Sequence, residues 1–230
     1  MNFQDFDQRF TPRELKDMVF HTQDSLDLIN GCVTGSIGFP ATGINGIILY
    51  GTYGTGKSAL AKILPDLIEK SRGGLDAYSR FFNISQGGDN GAKVIENIRN
   101  QAILNTWNTA FHYFVLDEVD NLRKETMESL KVAMNTNANN CIYIMTTNKL
   151  SAIEGGVLNR SITVEFNAAP SSAWLPRMKD VLAAYDVLDV SDEELLNIIS
   201  LCDGSARKIL LSARRLIEKH SKKGVNNEIY

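Results

Sequence analysis

Residues 51–58 read Gly-Thr-Tyr-Gly-Thr-Gly-Lys-Ser: three glycines around one lysine, with a hydroxyl directly after it. Gly51, Gly54 and Gly56 allow backbone torsions that side chains forbid. The successive N–H groups of Gly51, Thr52, Tyr53, Gly54, Thr55, Gly56, Lys57, Ser58 and Ala59 can therefore turn inward around an anion at a helix N-terminus. Lys57 adds a point charge for outer phosphates, and the Ser58 hydroxyl is placed to ligate Mg²⁺. The pattern G-x-x-x-x-G-K-[ST] lies between the apolar run "GIILY" and the helix-forming "ALAKILPDLIEK", the strand-then-helix context that such a loop needs. A nucleoside triphosphate is the expected ligand.

A second cluster supplies carboxylates. In "YFVLDEVD", 113–120, an apolar strand ends in Asp117, where a carboxylate beside the phosphate loop can hold Mg²⁺ through water. Adjacent Glu118 can orient and deprotonate an attacking water. A kinase, which moves phosphate to a bound hydroxyl, has less use for that glutamate, so hydrolysis is favoured. Asn148 closes the strand "CIYIMTTN" and can hydrogen-bond the attacking water or the γ-phosphate; on its own it would read as a turn residue.

These residues need a scaffold that brings several strand ends to one edge. Apolar runs at 46–50, 80–85, 112–118, 141–148 and 161–166 read as strands, separated by helical patterns at 57–70, 92–107 and 124–135. On the second of these helices Val94, Ile95, Ile98, Ala102 and Leu104 lie near one face. Such alternation predicts an α/β fold with a parallel sheet between helices. "NAAPSSAW", 167–174, reads as a linker, and beyond it only helical patterns follow, at 174–185, 191–202 and 204–221, with Ser191 and Glu194 as a capping box. The expected division is an α/β nucleotide-binding domain over 1–168 and a small helical lid domain over 169–230.

Composition narrows the function classes. Of the 230 residues, 43% are hydrophobic and 22% charged, the balance of a globular chain. A formal charge of -3 carries no global basic signature, so any nucleic-acid contact must come from a local patch. Cys32, Cys141 and Cys202 are far apart, which argues against a zinc site or a disulfide framework and for reduced core thiols in a cytosolic compartment. The opening "MNFQDFDQRF" has no apolar leader pattern, and no stretch approaches 18 apolar residues, so neither secretion nor a membrane partner is expected.

These motifs resemble the AAA+ ATPases, and within them the small ATPase subunits of sliding-clamp loaders, the replication factor C type, over residues 6 to 220 or so. "LYGTYGTGKS" is similar to their "FYGPPGTGKT", and "FVLDEVDNLRKETMESLKVAM" to their "IILDEADSMTKDAQSALRRTM". "FDQRFTPRELKDMVFH" resembles the "W-x-x-K-Y-R-P" segment, which implies that Phe10, Pro12 and Val19 line the adenine pocket. The family's first sensor falls on Asn148, and Asn83 matches the "LNAS" asparagine that can hold the catalytic glutamate away from the water until the partner is engaged. "GGVLNRSITVEF" resembles the "S-R-C" segment, so Arg160 is implied as a finger reaching the nucleotide of a neighbouring subunit; "DGSARKIL" resembles "G-D-x-R", which implies that Arg207 contacts nucleotide in its own subunit. Serine stands at 161 and 205 where the family has cysteine and aspartate, and Thr52 and Tyr53 stand for two prolines.

The resemblance implies ATP and Mg²⁺ as ligands, a homo- or hetero-oligomer with other AAA+ subunits in a ring or partial ring, and a sliding clamp with primer-template DNA as partners in the cytoplasm, or in the host cytoplasm if the chain is phage-encoded. Initiators and helicase loaders share every motif, and would load a helicase instead; an ATP-gated scaffold with little turnover and a DNA-translocating motor are further readings. Clamp-loader subunits usually continue into a collar domain, whereas this chain is expected to stop after the lid, so that either a ring is held by other contacts or the protein is a shorter relative doing a related job. Lys93 and Arg99, with Arg80 close by, sit where clamp loaders face DNA, and Arg214, Arg215, Lys219, Lys222 and Lys223 form a denser basic run.

Overall fold

The computed structural model describes residues 3–85, 91–103 and 109–227. The chain folds as two compact units: Gln23–Thr52 with Lys57–Phe166, and Met1–Thr22 with Tyr53–Gly56 and Asn167–Tyr230.

The first unit is an α/β unit. Strands β1 (Gly46–Tyr50), β2 (Ser79–Asn83), β3 (His112–Asp117), β4 (Cys141–Thr147) and β5 (Ser161–Glu165) form one sheet in the order β2-β3-β4-β1-β5, with every pair parallel. The central strands β3, β4 and β1 are buried on both faces, which is why they read as unbroken apolar runs rather than alternating ones. Helices α4 (Ala92–Ala102), α5 (Lys124–Thr136) and the short α6 (Gly155–Leu158) cover one face. Val94, Ile98 and Leu130 pack there with Phe114, Tyr143 and Met145. Helices α2 (Gln23–Thr34) and α3 (Lys57–Ser71) carry the buried Ile29, Leu60, Leu64 and Ile68, and α3 packs along β1, β3 and β4. Strand β2 forms an exposed edge: only Phe82 of its residues is half-buried.

One buried carboxylate ties this unit together. Glu69, in the last turn of α3, is 1% exposed. Its Oε1 accepts from the Tyr113 hydroxyl at 2.8 Å and from the backbone N–H groups of Ala110 at 3.0 Å and Phe111 at 3.3 Å. The charge is thus dispersed over three donors instead of a cation, and it anchors the start of β3 to the end of α3. Burial, reinforced by Glu69, pushes the Tyr113 phenol well above its ordinary pKa.

The second unit is helical: α1 (Phe3–Phe10), α7 (Ser171–Ala183), α8 (Asp192–Ser200) and α9 (Ala206–Asn227). Its core gathers Phe6, Trp174, Met178, Leu195, Ile209 and Ile217. Ser191 caps α8 by accepting the Glu194 N–H at 3.2 Å, as the capping pattern requires.

Two sequence expectations change here. The α/β domain was expected to start at residue 1, yet residues 1–22 group with the helices, because Phe6 and Phe10 form a ring cluster with Tyr185 at centroid distances of 6.1 and 6.0 Å. The expected linker 167–174 is structured as well: α7 begins at Ser171, and Ala169 and Trp174 are buried in the helical core. Small residues and a proline suit a helix start as well as a loop, since the N-cap there is Pro170 with extended backbone. Elsewhere the strands lie where the apolar runs placed them, while α4 is described only to Ala102; Leu104, assigned to its apolar face, lies outside the described residues.

Replacing Glu69 by leucine leaves the Tyr113 hydroxyl and two N–H groups without their acceptor. Denaturant unfolding should show a loss of about 3 kcal/mol, the scale of a broken buried charged network, with Glu69→Gln losing less.

Candidate active site

The parallel sheet points the C-terminal ends of its strands to one edge, where ligands of open α/β sheets bind. Tyr50 ends β1 in register with Thr147 of β4, and Leu116 of β3 pairs with Met145. Asp117 is therefore level with Thr146, and Asn83 at the end of β2 pairs with Asp117. Carboxylate, hydroxyl and loop thus emerge side by side.

The loop after β1 has the torsions its glycines predict: Gly51 at φ 142°, Gly54 at 77° and Gly56 at 108°. A side chain would be strained at each. The loop tip, 53–56, belongs to the helical unit, where the Gly54 carbonyl accepts the Ala206 N–H at 2.9 Å and a Cβ on Gly54 would stand 2.7 Å from the Ser205 hydroxyl. At the loop's other end α3 starts at Lys57, which presents a long helix N-terminus.

Lys57 is only 6% exposed, and its ammonium donates to the carbonyls of Gly51 at 3.0 Å and Thr52 at 2.5 Å. Burial lowers its pKa to about 8, against the opposing pull of Asp117, Asp120 and Glu118. A buried cation whose hydrogen bonds go to neutral carbonyls favours the arrival of an anion.

Ser58 and Asp117 are in direct contact. The Ser58 hydroxyl donates to Asp117 Oδ1 at 2.7 Å, and the Thr146 hydroxyl donates to the same oxygen at 2.5 Å. Hydroxyl and carboxylate oxygens are the donors that Mg²⁺ prefers, so these residues fit the ion. Thr146 also accepts the Glu118 N–H at 3.0 Å. It therefore orients both acids, a role the sequence reading missed. The available signal was a pair of threonines ending an otherwise apolar strand, one of them level with the aspartate.

Glu118 leaves β3 in the left-handed region, at φ 59° and ψ 48°. For a residue with a Cβ that conformation costs about 1–3 kcal/mol and persists where neighbours enforce it. Its side chain is exposed, and Oε2 accepts from the Asn121 amide at 3.2 Å. Asn83, also exposed, stands at the end of β2, and Asn148 is half-buried one residue past β4. Arg160 is half-buried and folded onto its own unit: Nη1 donates to the Gly156 carbonyl at 2.8 Å and Nη2 to Asn135 Oδ1 at 3.4 Å.

In the helical unit, Arg207 is exposed on the first turn of α9. Phe10 is 9% exposed with its ring in the helical core, Val19 packs against that core, and Pro12 is half-buried. Of the basic positions, Lys93 and Arg99 are exposed on α4, Arg80 is held by Gln101 and Tyr78, and Arg214 pairs with Glu218 at 3.1 Å. Arg215 and Lys219 are exposed; the side chains of Lys222 and Lys223 lie outside those described. Among the described residues no helix is long and apolar enough to cross a membrane.

A five-stranded parallel sheet with a glycine-lysine-serine loop after β1 and an aspartate-glutamate pair after β3 defines a P-loop nucleotide-binding protein. Residues 47–167, more than half of the chain, match the family described as "ATPase family associated with various cellular activities (AAA)", and the chain belongs to that family. It is 25% identical over 171 residues to the replication factor C small subunit 2 of Pyrobaculum islandicum, covering 71% of this chain and 50% of that one. It is 24% identical over 208 residues to the replication factor C small subunit of Methanocella arvoryzae, covering 88% and 60%. The chain thus spans about half the length of the curated relatives it matches. Among solved structures, the RuvB Holliday junction branch migration motor of Thermotoga maritima superposes with a TM-score of 0.65 at 14% identity, covering 90% of this chain and 64% of that one. PCH-2 of C. elegans gives a TM-score of 0.64 at 14% identity, covering 93% and 73%. These two likenesses concern the fold.

Two substitutions test the site. Lys57→Ala should abolish binding of a fluorescent ATP analogue, because it removes the buried cation. Thr146→Val keeps the volume but strips Asp117 of a donor and the Glu118 N–H of its acceptor. The Mg²⁺ concentration needed for half-maximal analogue binding should rise roughly 10- to 100-fold, as for other residues that orient a metal ligand.

Proposed function

We propose that this chain is an ATP-hydrolysing AAA+ subunit of a sliding-clamp loader, working in a ring or partial ring whose active sites lie at subunit interfaces. The observation that carries the hydrolytic part is the convergence of Ser58 and Thr146 on one Asp117 carboxylate oxygen, with Glu118 beside it. The names of the replication factor C relatives support the clamp-loader part.

In this reading the amides of 51–59 and the Lys57 ammonium hold the phosphates of ATP, and Ser58 with Asp117 holds Mg²⁺. Bound there, the ion would neutralise charge on the outer phosphates. Glu118 takes the proton of the attacking water, and Asn148 orients that water or the γ-phosphate. Arg207 adds a second cation toward the nucleotide of its own subunit. Arg160 acts on the nucleotide of the neighbouring subunit, after giving up its bonds to Gly156 and Asn135. Because that arginine arrives in trans, hydrolysis depends on assembly. ATP binding closes the assembly around a clamp and primer-template DNA in the cytoplasm, and hydrolysis releases them.

Steady-state ATP hydrolysis measured across protein concentration, without DNA and with single-stranded or primer-template DNA, tests this. The specific rate should climb with concentration and jump with primed junctions, Arg160→Ala should lower it about 10³-fold or more, and Glu118→Gln should keep nucleotide bound without turning it over. A specific rate indifferent to concentration and to DNA would sink the trans arginine, and normal hydrolysis by Glu118→Gln would sink the base.

A further inference from the structure

Arg160 stands at the end of a short turn between α5 and β1, and one carboxylate outside the nucleotide-binding residues holds that turn in shape. Glu154 is the N-cap of α6: its Oε2 accepts the N–H groups of Gly156 at 2.8 Å and Val157 at 3.2 Å. Its Oε1 pairs with the Lys131 ammonium of α5 at 3.4 Å. Two donors of the helix start and one cation of the neighbouring helix thus meet on a single side chain. Ile153 and Val157 root the same turn in the α/β core.

The arginine is tied to this turn through both its backbone and its side chain. Its carbonyl accepts the N–H groups of Asn45 at 3.1 Å and Gly46 at 2.9 Å, at the start of β1. Its Nη1 donates to the Gly156 carbonyl. The peptide between Gly156 and Val157 therefore has its N–H on the Glu154 carboxylate and its C=O on the Arg160 guanidinium, and hydrogen bonds in series through one peptide strengthen one another. Lys131 and Asn135 lie four residues apart, hence on one face of α5, where the first meets Glu154 and the second accepts Arg160 Nη2. Gly156 allows this approach: a Cβ there would overlap Lys131 Cδ and stand 2.8 Å from Glu154 Oε2.

We infer that Glu154 is a positioning residue for Arg160, fixing the turn whose shape sets where the guanidinium can reach in a neighbouring subunit. The inference rests on the reading of Arg160 as an arginine that acts in trans. When the side chain leaves Gly156 and Asn135, the backbone stays pinned by Asn45 and Gly46, and the reach of the guanidinium is then decided by the turn alone. Without the carboxylate, the Gly156 and Val157 N–H groups lose their side-chain acceptor and the start of α6 loosens. Glu154 has no part in binding the nucleotide of its own subunit.

The test mixes two versions of the full chain with ATP and Mg²⁺. Glu118→Gln supplies Arg160 but has a silent site, and Arg160→Ala has a working site but no arginine, so hydrolysis by an equal mixture reports the arginine of one chain acting on the nucleotide of the other. Adding Glu154→Ala to the Glu118→Gln chain should lower kcat of the mixture about 10- to 100-fold at unchanged KM, the scale of a misplaced catalytic group. Adding it to the Arg160→Ala chain instead should leave the rate of the mixture unchanged. Thermal midpoints are recorded for each chain. If Glu154→Ala lowers the midpoint, Glu154→Gln, which keeps the side-chain length and a neutral acceptor, takes its place and should show the same one-sided loss, smaller in size. A merely structural Glu154 would lower the rate equally from either chain, and that result with Glu154→Gln overturns the inference, as does an unchanged rate from both. A mixture of Glu118→Gln with Arg160→Ala that hydrolyses no ATP removes the trans arginine, and the inference with it.

Discussion

Asp117 Oδ1 accepts the Ser58 hydroxyl at 2.7 Å and the Thr146 hydroxyl at 2.5 Å, and through that one atom the first turn of α3, the end of β3 and the end of β4 are bound together. The contact is possible only if β3, β4 and β1 are neighbours, parallel and in this register, because a shift of one residue would turn Asp117 to the other face of the sheet. It also sets where α3 starts, since Ser58 follows the loop by one residue. Sheet order, loop length and helix position are thus all read out at a single carboxylate. The buried face that enforces the register is the apolar packing of α4 and α5 on β3 and β4.

Around that atom the site carries costs that the fold sustains. A lysine is buried and its pKa falls to about 8; a glutamate sits at positive φ. Neither serves stability. Residues that depart from local preference in this way cluster where chemistry is done, and here both lie beside the same strand ends. Arg160 differs, because it is satisfied by Gly156 and Asn135 within its own unit. Any role toward a neighbouring subunit would therefore require an exchange of hydrogen bonds, not the capture of a free charge.

Much of this was legible in the chain alone. Unbroken apolar runs announced strands buried on both faces, and each strand lies where its run is, because burial on both sides removes the polar alternation that would blur the ends. The glycine spacing of the loop is local chemistry, and the positive φ angles at Gly51, Gly54 and Gly56 follow from it. The N-terminal segment was misjudged: a short charged stretch gave no sign that Phe6 and Phe10 would be buried against Tyr185, a partner about 180 residues away. The 167–174 segment was misjudged for a similar reason, since only the core around Trp174 shows that its small residues start a helix.

The sequence by itself determined the phosphate loop, the aspartate-glutamate pair at a strand end and the order of strands and helices along the chain, because torsional freedom, charge and hydrophobic period are written in neighbouring residues. Only the tertiary structure decided which side chains meet. Thr146 became the partner of both acids through strand register, Glu69 a hub for Tyr113, Ala110 and Phe111 through the packing of α3 on β3, and Asn121 the partner of Glu118 through a left-handed turn. Each of these contacts depends on hydrogen bonds of a few ångströms between elements whose separation no local pattern encodes.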